Sequence, residues 1–146
     1  MTETTQPGQG SPFWLFSLAF YREEGVADAC IVLQEQSSVD VNLLLYLLWR
    51  ARSCRAFASS DVQSIEKKIA PWRTTTVVPL RMVRRAMKDL RPDLVDSGTA
   101  ESFRNRIKAV ELEAERLQQE AMYRLEIPAG HRAASDRKST RLNSSH

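Results

Sequence analysis

One run restricts the fold more than any other: DVNLLLYLLWR, Asp40 to Arg50, in which seven large apolar residues, Leu43 to Trp49, follow without a break. Such a run can cross a bilayer, sit in a core, or wall a site. A spanning helix needs about twenty apolar residues, and the charges at Asp40 and Arg50 bound this segment far short of that. No membrane span is expected. Because Leu, Tyr and Trp cover every face at helical periodicity, the segment is predicted to be a buried central helix ringed by amphipathic ones. Ser38 or Asp40 is its expected cap, and the Asp40 carboxylate suits the positive end of a helix dipole.

Other helices follow from capping signals and apolar spacing. Ser11-Pro12 opens the first, an aromatic helix with Phe13, Phe16 and Phe20 at three- and four-residue spacings, for which Gly25 is the expected C-cap. Val26 to Gln36 forms a second, with Val26, Ala29, Cys30 and Leu33 on one face. Ser60-Asp61 caps a further helix that is predicted to stop at Pro71. The β-branched stretch Thr74 to Val78 could pass for a strand, but a lone strand makes no sheet. It reads instead as a proline-started helix, kinked at Pro79 and ending before Arg91-Pro92. The last helix runs from about Thr99 without Gly or Pro to Pro128, with a narrow seam of Phe103, Ile107, Val110, Ala114, Leu117 and Ala121. Its carboxylates Glu111, Glu113, Glu115 and Glu120 are expected on the solvated face.

The expected fold class is therefore all-α: about six helices packed round a buried central helix, with a long charged C-terminal helix. Residues 1–10 read as a disordered leader, 11–127 as a single helical domain, and 128–135 as a loop or truncated end. Residues 136–146, DRKSTRLNSSH, match a common short-read sequencing adapter translated in frame and are expected to be non-native. Without that segment's three basic and one acidic residues, 21 basic and 18 acidic residues become 18 and 17, so the formal charge falls from +3 to +1. A basic balance is thus no argument for a nucleic-acid partner. The leader has no basic start followed by an apolar stretch, so the cytoplasm is the expected compartment, with Cys30 and Cys54 as reduced thiols.

Most chemistries lack their residues. Metal sites need converging His, Cys or carboxylate ligands, and the only histidine before the adapter-like segment is His131. No Gly-rich phosphate loop occurs, so no metal and no cofactor is expected. Arg81, Arg84, Arg85 and Lys88 fall on one side of a helix, where they would bind an anion or an acidic partner, or neutralise the Glu-rich last helix. Asp40, Asn42, Trp49 and Arg73 are the candidate pocket residues; Asp40 and Asn42 serve equally as caps, and Trp49 as core.

In FW-x-FSL-x-x-Y (Phe13 to Tyr21), GV-x-x-AC-x-x-LQ (Gly25 to Gln34) and DVNLLL-x-x-LW (Asp40 to Trp49), the chain resembles a family of small proteobacterial proteins. It is the family labelled domain of unknown function 2390. The resemblance continues through Trp72-Arg73, Pro79-Leu80-Arg81, Arg84-Arg85 and KAVELEAE, Lys108 to Glu115, and it implies no assigned activity. The family pattern expects glycine before DVN; Ser38 stands there, so no left-handed turn is expected. The leading expectation is a non-enzymatic cytoplasmic interaction or adaptor module with a protein partner. The alternatives are a small-molecule-binding protein or enzyme with its pocket near Asp40, Asn42 and Trp49, and a nucleic-acid accessory protein using the Arg81 to Lys88 stripe.

Overall fold

The computed structural model describes residues 9–53, 57–91 and 93–125, and within them every regular element is helical. The elements are α1 (Pro12–Tyr21), α2 (Val26–Ser37), α3 (Val41–Ala51), α4 (Ser59–Trp72), a π-turn (Arg73–Val77), α5 (Val78–Lys88) and α6 (Ser97–Tyr123). Because α4, the π-turn and α5 are continuous, the described residues form five rods. Cys54, Arg55 and the segments before Gln9 and after Leu125, with residues 1–8 of the predicted leader, the predicted truncated end and the adapter-like stretch, lie outside the described residues. Among the described residues no helix is long and apolar enough to cross a membrane.

Capping at three helix starts follows the sequence. The Ser11 hydroxyl accepts from the Trp14 N–H at 3.1 Å, with Pro12 in the first turn. Asp40 Oδ1 accepts from the Asn42 N–H at 2.9 Å, and Asp96 Oδ2 accepts from the Thr99 N–H at 3.0 Å. Each carboxylate or hydroxyl satisfies N–H groups that no helical carbonyl can reach.

Three local expectations are corrected. Gly25, at φ +85°, is the N-cap of α2 and not the C-cap of α1, which Arg22 supplies. Ser38 does adopt the left-handed conformation, at φ 53°, as the C-cap of α2, with the Val39 N–H closing on the Leu33 carbonyl at 3.3 Å. Pro71 does not end α4; the helix passes through it. Beyond it the Val78 N–H reaches back five residues to the Arg73 carbonyl, which widens the helix just before Pro79 and gives the proline ring room in the preceding turn. Thr74 and Thr76 donate their hydroxyls to the Ala70 and Trp72 carbonyls at 2.9 and 2.7 Å, which suits β-branched residues to this stretch.

The hub of the packing is α6, which lies against α1, α3, α4, the π-turn and α5. Phe13, Leu45, Tyr46, Ile65, Ile69 and Met122 form the core. Its aromatic centre is an edge-to-face contact of Phe13 and Tyr46, ring centroids 5.3 Å apart. Although α3 buries Asn42, Leu45 and Tyr46 on one face, Leu48 is 39% exposed, so the apolar run is not covered all round. The face that α6 buries is also turned from the predicted seam. Glu111, Ala114, Gln118, Gln119 and Met122 point inward, while Phe103, Val110 and Leu117 are 46%, 52% and 41% exposed. Arginines and amides on the facing helices pair with the inward polar groups, so a polar face can be the buried one.

Candidate functional site: a polar wall between two clefts

The site begins at the N-terminus of α3. Asp40 caps the helix with one carboxylate oxygen and with the other accepts from Arg73 at 2.8 Å and from the Gln118 amide at 3.2 Å. Arg73, the first residue of the π-turn, also grips Glu66 with both terminal nitrogens. Hydrogen bonding to Glu66 and then to Asp40 raises its already high pKa against the opposing effect of burial, so it stays charged. The cap of one helix, the bulge of a second and the buried face of α6 thus meet at one carboxylate.

Two residues further along the chain, Asn42 accepts from the Gln119 amide at 2.7 Å inside the protein. Beside it lies Glu115, whose carboxyl burial pushes up to about 6; Arg81 and the Asn42 amide pull it down, while Glu111 and Asp40 push it further up. Arg81 spans two carboxylates on α6, 3.2 Å from Glu111 and 3.9 Å from Glu115. Arg84 takes both oxygens of Glu111 in a fork, and that hydrogen bond raises the arginine's pKa. Glu111 itself is 4% exposed, which corrects its expected place on the solvated face. Glu120 is partly buried and accepts from the Ser11 N–H at 2.9 Å, so it ties α1 to α6.

A cleft lies on each side of this wall. The first, about 560 Å³, opens among α1, α2, α5 and α6; the second, about 550 Å³, opens among the α2–α3 turn, α3, the π-turn and α5. Gln34, Val41, Asn42, Arg81 and Glu115 line both. A third, apolar cleft of about 570 Å³ lies in the bend between α5 and α6, against Leu90, Leu94 and Phe103.

The family model described as Protein of unknown function (DUF2390) matches residues 12–122, which takes in the whole wall from Asp40 to Gln119. The chain belongs to DUF2390. Comparisons with curated proteins and with solved structures give no match.

Within the DUF2390 match the structure sorts the predicted site residues. Asp40, Asn42 and Arg73 come together at the wall. Trp49 lies apart from both flanking clefts, packed against Phe13 and Tyr123 with ring centroids 5.4 and 5.6 Å away. Of the basic stripe, Arg81 and Arg84 turn in to Glu111, Arg85 pairs with Glu35 at 3.1 Å, and Lys88 is exposed at the first cleft. Glu111, Glu115, Gln118 and Gln119 were not predicted as site residues. Their spacing of four, three and one does carry a signal, a polar face at helical periodicity, hidden beside the apolar row.

Proposed function

We propose that the protein is a small-molecule-binding helical domain. The observation that supports this best is the wall itself: fixed polar groups, positioned by three different helices, stand between two clefts of the size small ligands occupy. Asp40, Asn42 and Arg73, candidates for a pocket on sequence grounds, belong to that wall. A metabolite panel screened by thermal shift tests the reading. Hits should stabilise the wild type and lose their effect in Ile31→Trp, which fills the first cleft from its half-exposed rim. A panel without hits, or hits indifferent to that substitution, counts against it.

A second reading keeps the interaction role, carried by α6 more than by the basic stripe, since Arg81 and Arg84 are engaged by Glu111. Phe103, Val110 and Leu117 stand seven residues apart in an exposed row with Arg106 and Glu113 alongside. In an antiparallel pair of α6 helices centred on Val110, this row meets itself and each Arg106 comes beside the other copy's Glu113. Sedimentation should then show a dimer that Val110→Glu returns to monomer; a monomer at all concentrations removes the reading.

A further inference from the structure

The first cleft has an asymmetric lining. Its apolar side is made by Trp14 and Leu18 of α1, Ile31 of α2 and Leu45 of α3. On the other side its cations outnumber its acids. Arg81, Arg84 and Arg85 are answered by Glu111, Glu115 and Glu35. Arg22 and Lys88 have no ion-pair partner among the described residues, and Arg104 spends only its Nε, on the Arg84 carbonyl at 3.0 Å. The charge left over at the cleft is therefore positive.

Two buried polar atoms add to this. Ser17 is 4% and Gln119 2% exposed, both line the cleft, and neither Ser17 Oγ nor Gln119 Oε1 has a hydrogen-bond partner among the described residues. An unmet buried hydroxyl or carbonyl costs about 1–3 kcal/mol, so its retention beside a cavity points to something that completes it there. Arg22, Lys88 and Arg104 come from α1's C-cap, α5 and α6, three separate elements around one opening.

Resting on the reading of this cleft as a binding site, we propose that its ligand is an amphiphilic organic anion. The acidic head, a carboxylate, sulfonate or phosphate, sits toward Arg22, Lys88 and Arg104. The apolar body, a ring or short chain, lies on Trp14, Leu18, Ile31 and Leu45. A hydroxyl or N–H on the body reaches Ser17 and Gln119. An apolar cleft would accept a neutral molecule of the same shape, but these unneutralised cations make the acidic head the discriminating group, because a charge-assisted contact is about twice as strong as a neutral one.

Two fluorescent probes with related rings separate the possibilities: anilinonaphthalene sulfonate, which is anionic, and N-phenylnaphthylamine, which is neutral. Titrated against the full chain, the sulfonate should bind about tenfold more tightly, with an affinity that weakens as salt rises. The double variant Arg22→Gln/Lys88→Gln changes two exposed side chains, so its circular dichroism and Tm should match the wild type. It should erase the preference while leaving the neutral probe's affinity unchanged. Ile31→Trp should abolish binding of both. Equal binding of the two probes, lost in Ile31→Trp, overturns the anionic ligand and keeps the cleft. Binding that survives Ile31→Trp, or no binding, overturns both.

Discussion

Asp40 and Arg73 meet at 2.8 Å although 33 residues separate them, and the aspartate side chain is only 9% exposed. Through this contact the cap of α3 and the π-turn after α4 hold each other. Removing the arginine leaves a nearly buried carboxylate with its backbone donors and Gln118 alone. Loss of one partner from a fully buried pair costs 3–5 kcal/mol; with Arg73 partly exposed, Arg73→Met should cost about 2–3 kcal/mol. Urea denaturation measures it, and a double-mutant cycle with Asp40→Asn should give a coupling energy well above that of a surface pair. Additive effects would show that the contact carries no stability of its own.

Glu111 is the anchor of α5 on α6. Its replacement by Gln leaves the shape and removes the charge that both Arg81 and Arg84 address. We expect a loss of about 3 kcal/mol in chemical denaturation, because two partly buried guanidinium groups lose their carboxylate. Replacing the exposed Glu113, which pairs with Arg116 at 3.5 Å, should cost less than about 0.5 kcal/mol.

Stability should depend on pH through Glu115. Burial raises its folded-state pKa from 4.5 to about 6, so the folded protein binds the proton more tightly than the unfolded chain does. The associated stability is complete below about pH 4.5 and is lost as pH rises through about 6, a change of up to about 2 kcal/mol. Glu115→Gln should flatten this part of the stability profile in urea titrations between those pH values. An unchanged slope would assign the dependence to other groups.

Ser38 is the one non-glycine residue with positive φ among the described residues. A side chain in that conformation costs about 1–2 kcal/mol, of which glycine's greater unfolded-state freedom returns part. Ser38→Gly should therefore raise stability by up to about 1 kcal/mol, seen as a higher Tm, whereas Ser38→Val should lower it.

Much of the fold was legible because it depends on short-range rules. Ser11, Asp40 and Asp96 cap helices through side-chain chemistry that a few neighbouring residues define. The π-turn was not legible: Pro71 reads as a stop, whereas the helix passes through it and widens beyond it, where the Val78 N–H reaches the Arg73 carbonyl. Half of the wall was visible, since Asp40, Asn42 and Arg73 stand out beside an apolar run. The other half, Glu111 to Gln119, was hidden because charge and amides ordinarily mark a solvated face, and their partners are distant in the chain: Arg81 and Arg84 for Glu111, Asp40 for Gln118 and Asn42 for Gln119. Periodicity shows that a helix has two faces; it does not say which one a partner helix will satisfy.

The bulge at residues 73–77 also works as a phase shifter. A π-turn holds one residue more than the α-helical turn it replaces, and one residue is about 100° of rotation about the axis. Every side chain of α5 therefore points where it does because the wider turn absorbs that added residue. Were the same residues wound as a plain α-helix, Arg81 and Arg84 would swing away from Glu111 by about a quarter of a circle. The alignment of two helices across the first cleft is thus set by the winding of a turn upstream, and a change there that forced residues 73–77 into α-helical winding would retune the cleft without altering any residue that lines it.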